Sequence, residues 1–226
     1  MVPSDAARDM VAGRASISDG PSVATLGSAM AWSAAGRSGS RLNESSTQCR
    51  EQAERDASPT VGIIDSQSVK SAEKGGRRID RPGYDAGKKI KGKKRHILVD
   101  TQGLLMMAIV HAADVQDRDG GVLLMASLFG LYPFLLKLYA DGGYQGPQFQ
   151  AGLRQVLAQV EVEIVKRSDQ AKGFAVLPKR WIVERTFAWL NRCRRLAKDW
   201  ENLTERALAF LRLASIRLMV RKLCNS

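Results

Sequence analysis

Val61-Gly62-Ile63-Ile64-Asp65-Ser66-Gln67-Ser68-Val69 joins an apolar run to an acid and a polar tail. The spacing predicts a short buried strand over 61–65 whose end delivers the Asp65 carboxylate to the edge of a sheet. The pattern returns in Leu135-Leu136-Lys137-Leu138-Tyr139-Ala140-Asp141-Gly142-Gly143-Tyr144, where a strand over about 135–141 ends on Asp141 and two glycines force a turn. A third acid, Glu184, lies in a strongly helical stretch, 179–198.

Working outward, Arg95-His96-Ile97-Leu98-Val99-Asp100 reads as a strand, Thr101-Gln102-Gly103 as a tight turn, and Leu104 to His111 as the returning strand of a hairpin. Asp119 is placed to cap a helix over 120–130, and Pro147 to start one over 147–159. A strand follows over 160–166. Asn202 with Glu205 reads as a capping pair for a last helix over about 203–223. The expected order is β-β-β-α-β-α-β-α-α, a mixed α/β fold with hairpin-linked strands first and crossover-linked strands after. Ahead of it, residues 1–47 are rich in Ala, Ser, Gly and Arg and poor in large apolar residues, so disorder is expected there. Residues 48–58 read as a linker and 59–226 as one folded domain.

Lys70 to Arg95 carries eleven Lys or Arg residues against three acids, with glycines interleaved, and reads mostly as a mobile basic loop. The whole chain of 226 residues holds 35 Lys and Arg against 23 acids, a net charge of +12, which favours a polyanionic partner, nucleic acid before anionic membrane. Three scattered cysteines and only His96 and His111 exclude a zinc cluster and fit free thiols in a reducing compartment. The two histidines read as core or hydrogen-bonded residues, and Trp181, Phe187 and Trp189 as core aromatics. No apolar run reaches the roughly 18 residues of a membrane span, and no secretory signal opens the chain, so a cytosolic protein is expected.

Two strand-borne acids, one helix acid and a basic field are the parts that phosphoryl transfer on DNA needs. Carboxylates supply the hard oxygen ligands that Mg²⁺ takes, and two ions roughly 4 Å apart activate the attacking hydroxyl and stabilise the leaving oxygen. On the helix, Ile182, Val183, Phe187, Trp189, Leu190, Cys193 and Leu196 fall on one arc. Glu184 falls just off it beside Asn191, Arg195 and Lys198, and four residues on it meets Ala188 rather than a cation. Asp65, Asp141 and Glu184 are therefore expected to converge on divalent metal.

These residues resemble a known family. Gly62 to Lys70 and Gly83 to Asp100 are similar to the first catalytic block of insertion-sequence-5-type transposases, Tyr139-Ala140-Asp141-Gly142-Gly143-Tyr144 to the second, and Arg180 to Leu190 to the third. The resemblance runs from about Cys49 to the C-terminus. It implies a ribonuclease H-like mixed sheet flanked by helices, forming a DDE transposase catalytic domain with Asp65, Asp141 and Glu184 as catalytic and metal-binding triad. The implied reaction is cleavage at element ends and joining of 3′ ends to target DNA with Mg²⁺ or Mn²⁺, two ions in all. The implied partners are terminal-repeat and target DNA, with homo-oligomers on DNA among the arrangements the family allows, in the bacterial cytoplasm and at the nucleoid when bound.

Arg180 and Glu184 match the arginine and glutamate of the wider superfamily's tyrosine-arginine-glutamate-lysine signature. Leu177 stands in place of its tyrosine and Asn191 in place of its lysine, leaving Arg192 or Arg195 to meet phosphate. Lys88, Lys89, Lys91, Lys93, Lys94 and Arg95, with Arg180, Arg192 and Arg195, are the expected DNA contacts. Residues 1–47 do not resemble the helical end-recognition segment of such enzymes and read as non-homologous, as in a truncated or frameshifted copy. Three readings follow as alternatives: an active transposase with impaired end recognition, a remnant that binds DNA without turnover, or a general structure-specific nuclease of the same fold.

Overall fold

The computed structural model describes residues 37–72, 79–128, 130–166 and 179–225. In chain order the elements are α1 (Arg37–Gln52), β1 (Val61–Lys70), β2 (Gly83–Asp85), β3 (Ile90–Val99), β4 (Leu105–Ala112), α2 (Asp117–Ala126), β5 (Lys137–Ala140), α3 (Pro147–Val156), β6 (Glu161–Ile164), α4 (Arg180–Asn191) and α5 (Thr204–Cys224). Single 3₁₀ turns occupy Gly142–Tyr144 and Arg194–Leu196.

The strands form one mixed sheet in the order β4-β3-β1-β5-β6, with β2 beside the start of β3. β1, β3 and β4 pair antiparallel, while β1 with β5 and β5 with β6 are parallel. Alternation along β1 sends neighbouring residues to opposite faces. Ile63 packs with Ile97 and Val99 against α1, α4 and α5, through Leu42, Cys49, Val183, Phe187, Leu211 and Met219. Ile64 packs with Leu98 and Met106 against α2 and α3, through Leu124, Met125, Phe149 and Leu153. Both faces are covered, which is why the apolar runs in β1 and β3 are unbroken. The fold is the expected α/β type, a ribonuclease H-like mixed sheet flanked by helices.

Several boundaries differ from expectation. β1 does not stop at Asp65 but continues to Lys70, because the backbone of its polar tail pairs with β3 from Ser66 opposite His96 to Lys70 opposite Gly92. β3 in turn starts at Ile90, inside the stretch read as a mobile loop. Gly92 permits this pairing: a Cβ there would sit 2.1 Å from the Val69 carbonyl oxygen. Residues 73–78 of the basic stretch lie outside the described residues.

The segment read as disordered and as a linker contains α1. It carries few large side chains, yet Leu42 and Cys49, seven residues apart, fall on one stripe and are buried. Arg50 pairs with the buried Asp100 at the β3–β4 turn, and the Tyr132 hydroxyl donates to Asn43 Oδ1 at 3.1 Å. Tertiary packing and polar ties thus form a helix that composition did not show. The rest of that segment, residues 1–36, lies outside the described residues.

α2 begins at Asp117, with Gln116 rather than Asp119 at the cap position. α4 ends at Asn191 instead of running on to 198. Asn202 and Glu205 do not cap α5. Leu203 holds the cap position, and Asp80 Oδ2 reaches across to accept from the Thr204 amide at 2.6 Å.

Candidate active site

Asp65 lies within β1, opposite Ile97 of β3 rather than at a strand tip. On its other side β1 runs parallel to β5 with Ile63 beside Tyr139. Two residues further along both strands, the same register sets Asp65 beside Asp141, which follows the last residue of β5. Neighbouring strands stand about 4.8 Å apart, so the two acids are near each other on one face. Asp141 keeps extended backbone at φ −85° and ψ −179°, and its carboxylate accepts from the Gly143 amide at 2.8 Å. Gly143 therefore orients the acid, while the two glycines together turn the chain.

α4 crosses this face and brings the third acid. Arg180 in its first turn places Nη2 3.3 Å from Asp141 Oδ2 and Nε 3.1 Å from Glu184 Oε1. Glu184 thus has an i, i+4 partner on its N-terminal side, which the forward comparison with Ala188 overlooked. Burial pushes the Asp65 carboxyl up from 3.8 to about 6. The Ser66 amide, donating at 2.7 Å, opposes this; the Asp141 charge adds to it, and Arg180 and Lys88 counter it.

A second polar cluster lies behind the first, on the α2 face. Ser66 Oγ donates to Asp117 Oδ1 at 2.8 Å and Ser68 Oγ to Asp85 Oδ2 at 2.5 Å. Lys94 Nζ lies 3.0 Å from Asp117 and 3.5 Å from Asp85. Burial raises both carboxyls, but hydrogen bonds from Ser66 and Lys94 on Asp117, and from Ser68 and the Lys88 amide on Asp85, outweigh it and hold both below the usual carboxylate range. Tyr144, fully buried, sets its hydroxyl 3.1 Å from His96 Nδ1. Burial brings His96 down to about 3, so this histidine is neutral and structural, in line with its reading as a core residue. Asp85 and Asp117 escaped the sequence reading because the groups they serve are scattered along the chain with no local period.

The expected DNA contacts divide. Lys88, Lys89 and Lys91 are exposed on the β2–β3 hairpin, and Lys88 Nζ reaches 3.4 Å from the Ser66 carbonyl, beside Asp65. Lys93, Lys94 and Arg95 are interior and do not present their charge to DNA. Lys93 Nζ donates to the carbonyls of Asp80 and Arg81, Lys94 serves the cluster above, and Arg95 donates to the carbonyls of Leu196 at 2.6 Å and Lys198 at 3.4 Å. Strand formation from Ile90 turned a basic run inward. Arg180 is engaged by two carboxylates, Arg195 pairs with Glu201 at 2.6 Å, and Arg192 is exposed. Leu177 lies outside the described residues. Of the three aromatics read as core, only Phe187 is buried, while Trp181 and Trp189 are 42% and 37% exposed.

The fate of Arg95 is testable. Arg95→Ala leaves two carbonyls without their donor and is expected to lower stability by about 2–3 kcal/mol, read by urea denaturation. DNA affinity of the folded fraction should stay unchanged. A weaker DNA complex with unaltered stability would show that Arg95 faces solvent.

Asp65, Asp141 and Glu184 each carry hard carboxylate oxygens, the kind of ligand a divalent ion takes. The mutual repulsion of Asp65 and Asp141 is a charge such an ion would offset. Among the described residues no three acidic, histidine or cysteine side chains are gathered closely enough to hold one. Arg180 stands between Asp141 and Glu184 and supplies the positive charge. The donor chemistry of Asp65 and Asp141 suits a divalent ion, but Glu184 is held on Arg180 and the three do not form one gathered metal site. No helix among the described residues is long and apolar enough to cross a membrane.

Residues 56–219 match the family described as Transposase DDE domain, a span that takes in every strand of the sheet and all three acids. The chain is also similar to a Burkholderia cepacia protein assigned as the transposase for insertion sequence element IS402. The two are 34% identical over 129 residues, 54% of this chain and 60% of that protein. With its sheet, its acid-bearing elements and this match in agreement, the chain belongs to the DDE transposase family.

Proposed function

We propose that this chain cuts DNA phosphodiesters at the ends of an insertion sequence of the insertion-sequence-5 type and joins the freed 3′ ends to target DNA. What supports the reading is Arg180 joining Asp141, after β5, to Glu184 of α4, with Asp65 of β1 near enough to feel the charges of both Asp141 and Arg180. Divalent metal, two Mg²⁺ or Mn²⁺ ions, would be held by Asp65 and Asp141 with Glu184 joining them, and would supply charge neutralisation and activation of water or a 3′-hydroxyl.

The chain's own residues set the rest. β1 and β5 fix two carboxylates side by side. The cation of Arg180 lies where it can pass from Asp141 and Glu184 to a phosphate oxygen. Lys88, exposed beside Asp65, offers a second phosphate contact, with Lys89 and Lys91 following along the hairpin.

The test is joining of a pre-cut donor end to plasmid DNA with Mg²⁺ or Mn²⁺. A covalent donor–plasmid product is the expected result. Cleavage without joining would point to a general nuclease of this fold, and DNA binding with neither reaction to a remnant without turnover; either sinks the proposal. A gel-shift comparison of terminal-repeat with scrambled DNA separates end recognition from phosphate-only binding, which weakens steeply with salt.

A further inference from the structure

At the end of the sheet away from Asp65, α4, α5 and the β3–β4 turn line a half-open cavity of about 670 Å³. Val99 pairs with Ile63 and β3 runs antiparallel to β1, so the Gln102–Gly103 turn lies beyond the start of β1 while Asp65 lies further up the strand. Arg185, Arg192, Arg217, Arg221 and Lys222 line the cavity, and among the described residues no acidic side chain does. Among the described residues Arg192, Arg217 and Arg221 form no ion pair, and all three are exposed.

The wall is pre-organised. The Arg185 guanidinium lies between two indoles, 4.5 Å from the Trp181 ring and 4.7 Å from the Trp189 ring, and donates to the Gln102 carbonyl at 3.2 Å. Residues 181, 185 and 189 are four apart, so they stack along one stripe of α4. Thr186 Oγ1 fastens the same helix to the Gly103 carbonyl at 3.0 Å.

Cations of one sign around a concavity repel one another, and they focus a field that attracts an anion. Indoles stacked with arginine suit a nucleotide's sugar or base face beside its phosphate. We propose that this cavity is a second DNA-binding site, taking backbone phosphates of a DNA segment other than the one at the carboxylates, with Trp189 against the adjoining sugar or base. The proposal rests on the reading of this chain as a DNA-processing protein, but requires neither metal nor turnover. A strand-transfer enzyme must hold donor and target together, and a cavity set apart from the acids gives one of them a place.

The experiment titrates the full chain with a fluorescent DNA duplex of arbitrary sequence, without divalent ions, across a salt series. Arg217→Gln with Arg221→Gln, both exposed, is expected to weaken binding about tenfold at low salt and to lower the slope of log affinity against log salt by about two. Arg118→Gln with Arg154→Gln makes the same charge change on α2 and α3, across the sheet, and is expected to leave both quantities as in the parent.

Equal losses in the two double variants, or no loss at the cavity, overturn the proposal. So does a cavity variant that changes only the sedimentation of the protein alone, which would make the surface a contact between copies. A parent that binds no DNA would sink the functional reading as well, whereas binding indifferent to the cavity would sink this inference alone.

Discussion

Asp65→Asn is expected to abolish strand transfer and, in the same protein, to raise the melting temperature of the metal-free fold at neutral pH. The first effect follows from the proposed role of Asp65 beside Asp141; loss of a catalytic group that works as part of a unit costs on the order of a thousandfold or more. The second follows from the Asp65 carboxyl, raised by burial and by Asp141 from 3.8 to about 6. The folded chain therefore holds this proton more tightly than the unfolded chain does. The stability that goes with it is fully present below 3.8 and is lost as pH rises to about 6.

At about 1.4 kcal/mol for each tenfold change in proton affinity, the upper bound near neutrality is ~3 kcal/mol, and partial exposure of the side chain reduces this to on the order of 1–2 kcal/mol. Asparagine keeps the shape without the charge. Melting curves at pH 7.5 and pH 3.5 check the claim, with the gap between parent and variant expected to close at the lower pH. A variant less stable than the parent at pH 7.5 would show that the Asp65 charge is already compensated by Arg180 and Lys88.

Arg50→Ala has the largest expected effect on folding. Arg50 and Asp100 are both buried, and Asp100 also accepts from the amides of Gln102 and Leu104, each at 2.9 Å. Removing the arginine leaves a carboxylate in the interior with two neutral donors and no counter-charge, a change that costs about 3–5 kcal/mol. The Arg50 Nε donation to the Asp56 carbonyl at 2.6 Å is lost with it. The matched control is Arg81→Ala, which breaks a 3.2 Å pair with Asp114 in which the arginine is 84% exposed and should cost less than ~1 kcal/mol. Urea midpoints at unchanged m-value read the difference. Equal small shifts in the two variants would mean that α1 is not anchored through Arg50, and that the chain ahead of β1 is dispensable as its composition suggested.

The sequence reading succeeded where one residue's neighbours in the chain are also its neighbours in space. The apolar runs at Ile63–Ile64 and at Ile97–Val99 declared buried strands, the turn at Gln102–Gly103 declared the hairpin, and Pro147 declared the start of α3. The elements that carry Asp65, Asp141 and Glu184 were legible for the same reason, although β1 runs on past Asp65 instead of ending there. Reading failed where distant partners decide. Lys93, Lys94 and Arg95 look like a solvated basic run, and only carbonyls far along the chain, those of Val115 and Leu196 among them, reveal why they are buried. α1 was hidden because its hold on the fold comes from Asp100 and α5 rather than from its own apolar content. The stack of Trp181, Arg185 and Trp189 was readable from its spacing of four, but aromatics on an amphipathic helix were assigned to the core.

The placement of Asp65 within β1, with β3 bonded to one edge of that strand and β5 to the other, bears on how the site can move. Amides in a central strand open only when most of the domain opens with them, whereas helix ends and hairpin tips open locally. The backbone that carries Asp65 is therefore expected to open only with the sheet as a whole, read by hydrogen exchange of its amides. Arg180, in the first turn of α4, sits at a helix end where local opening is expected, so exchange of its ion pairs is open to it without loss of the sheet.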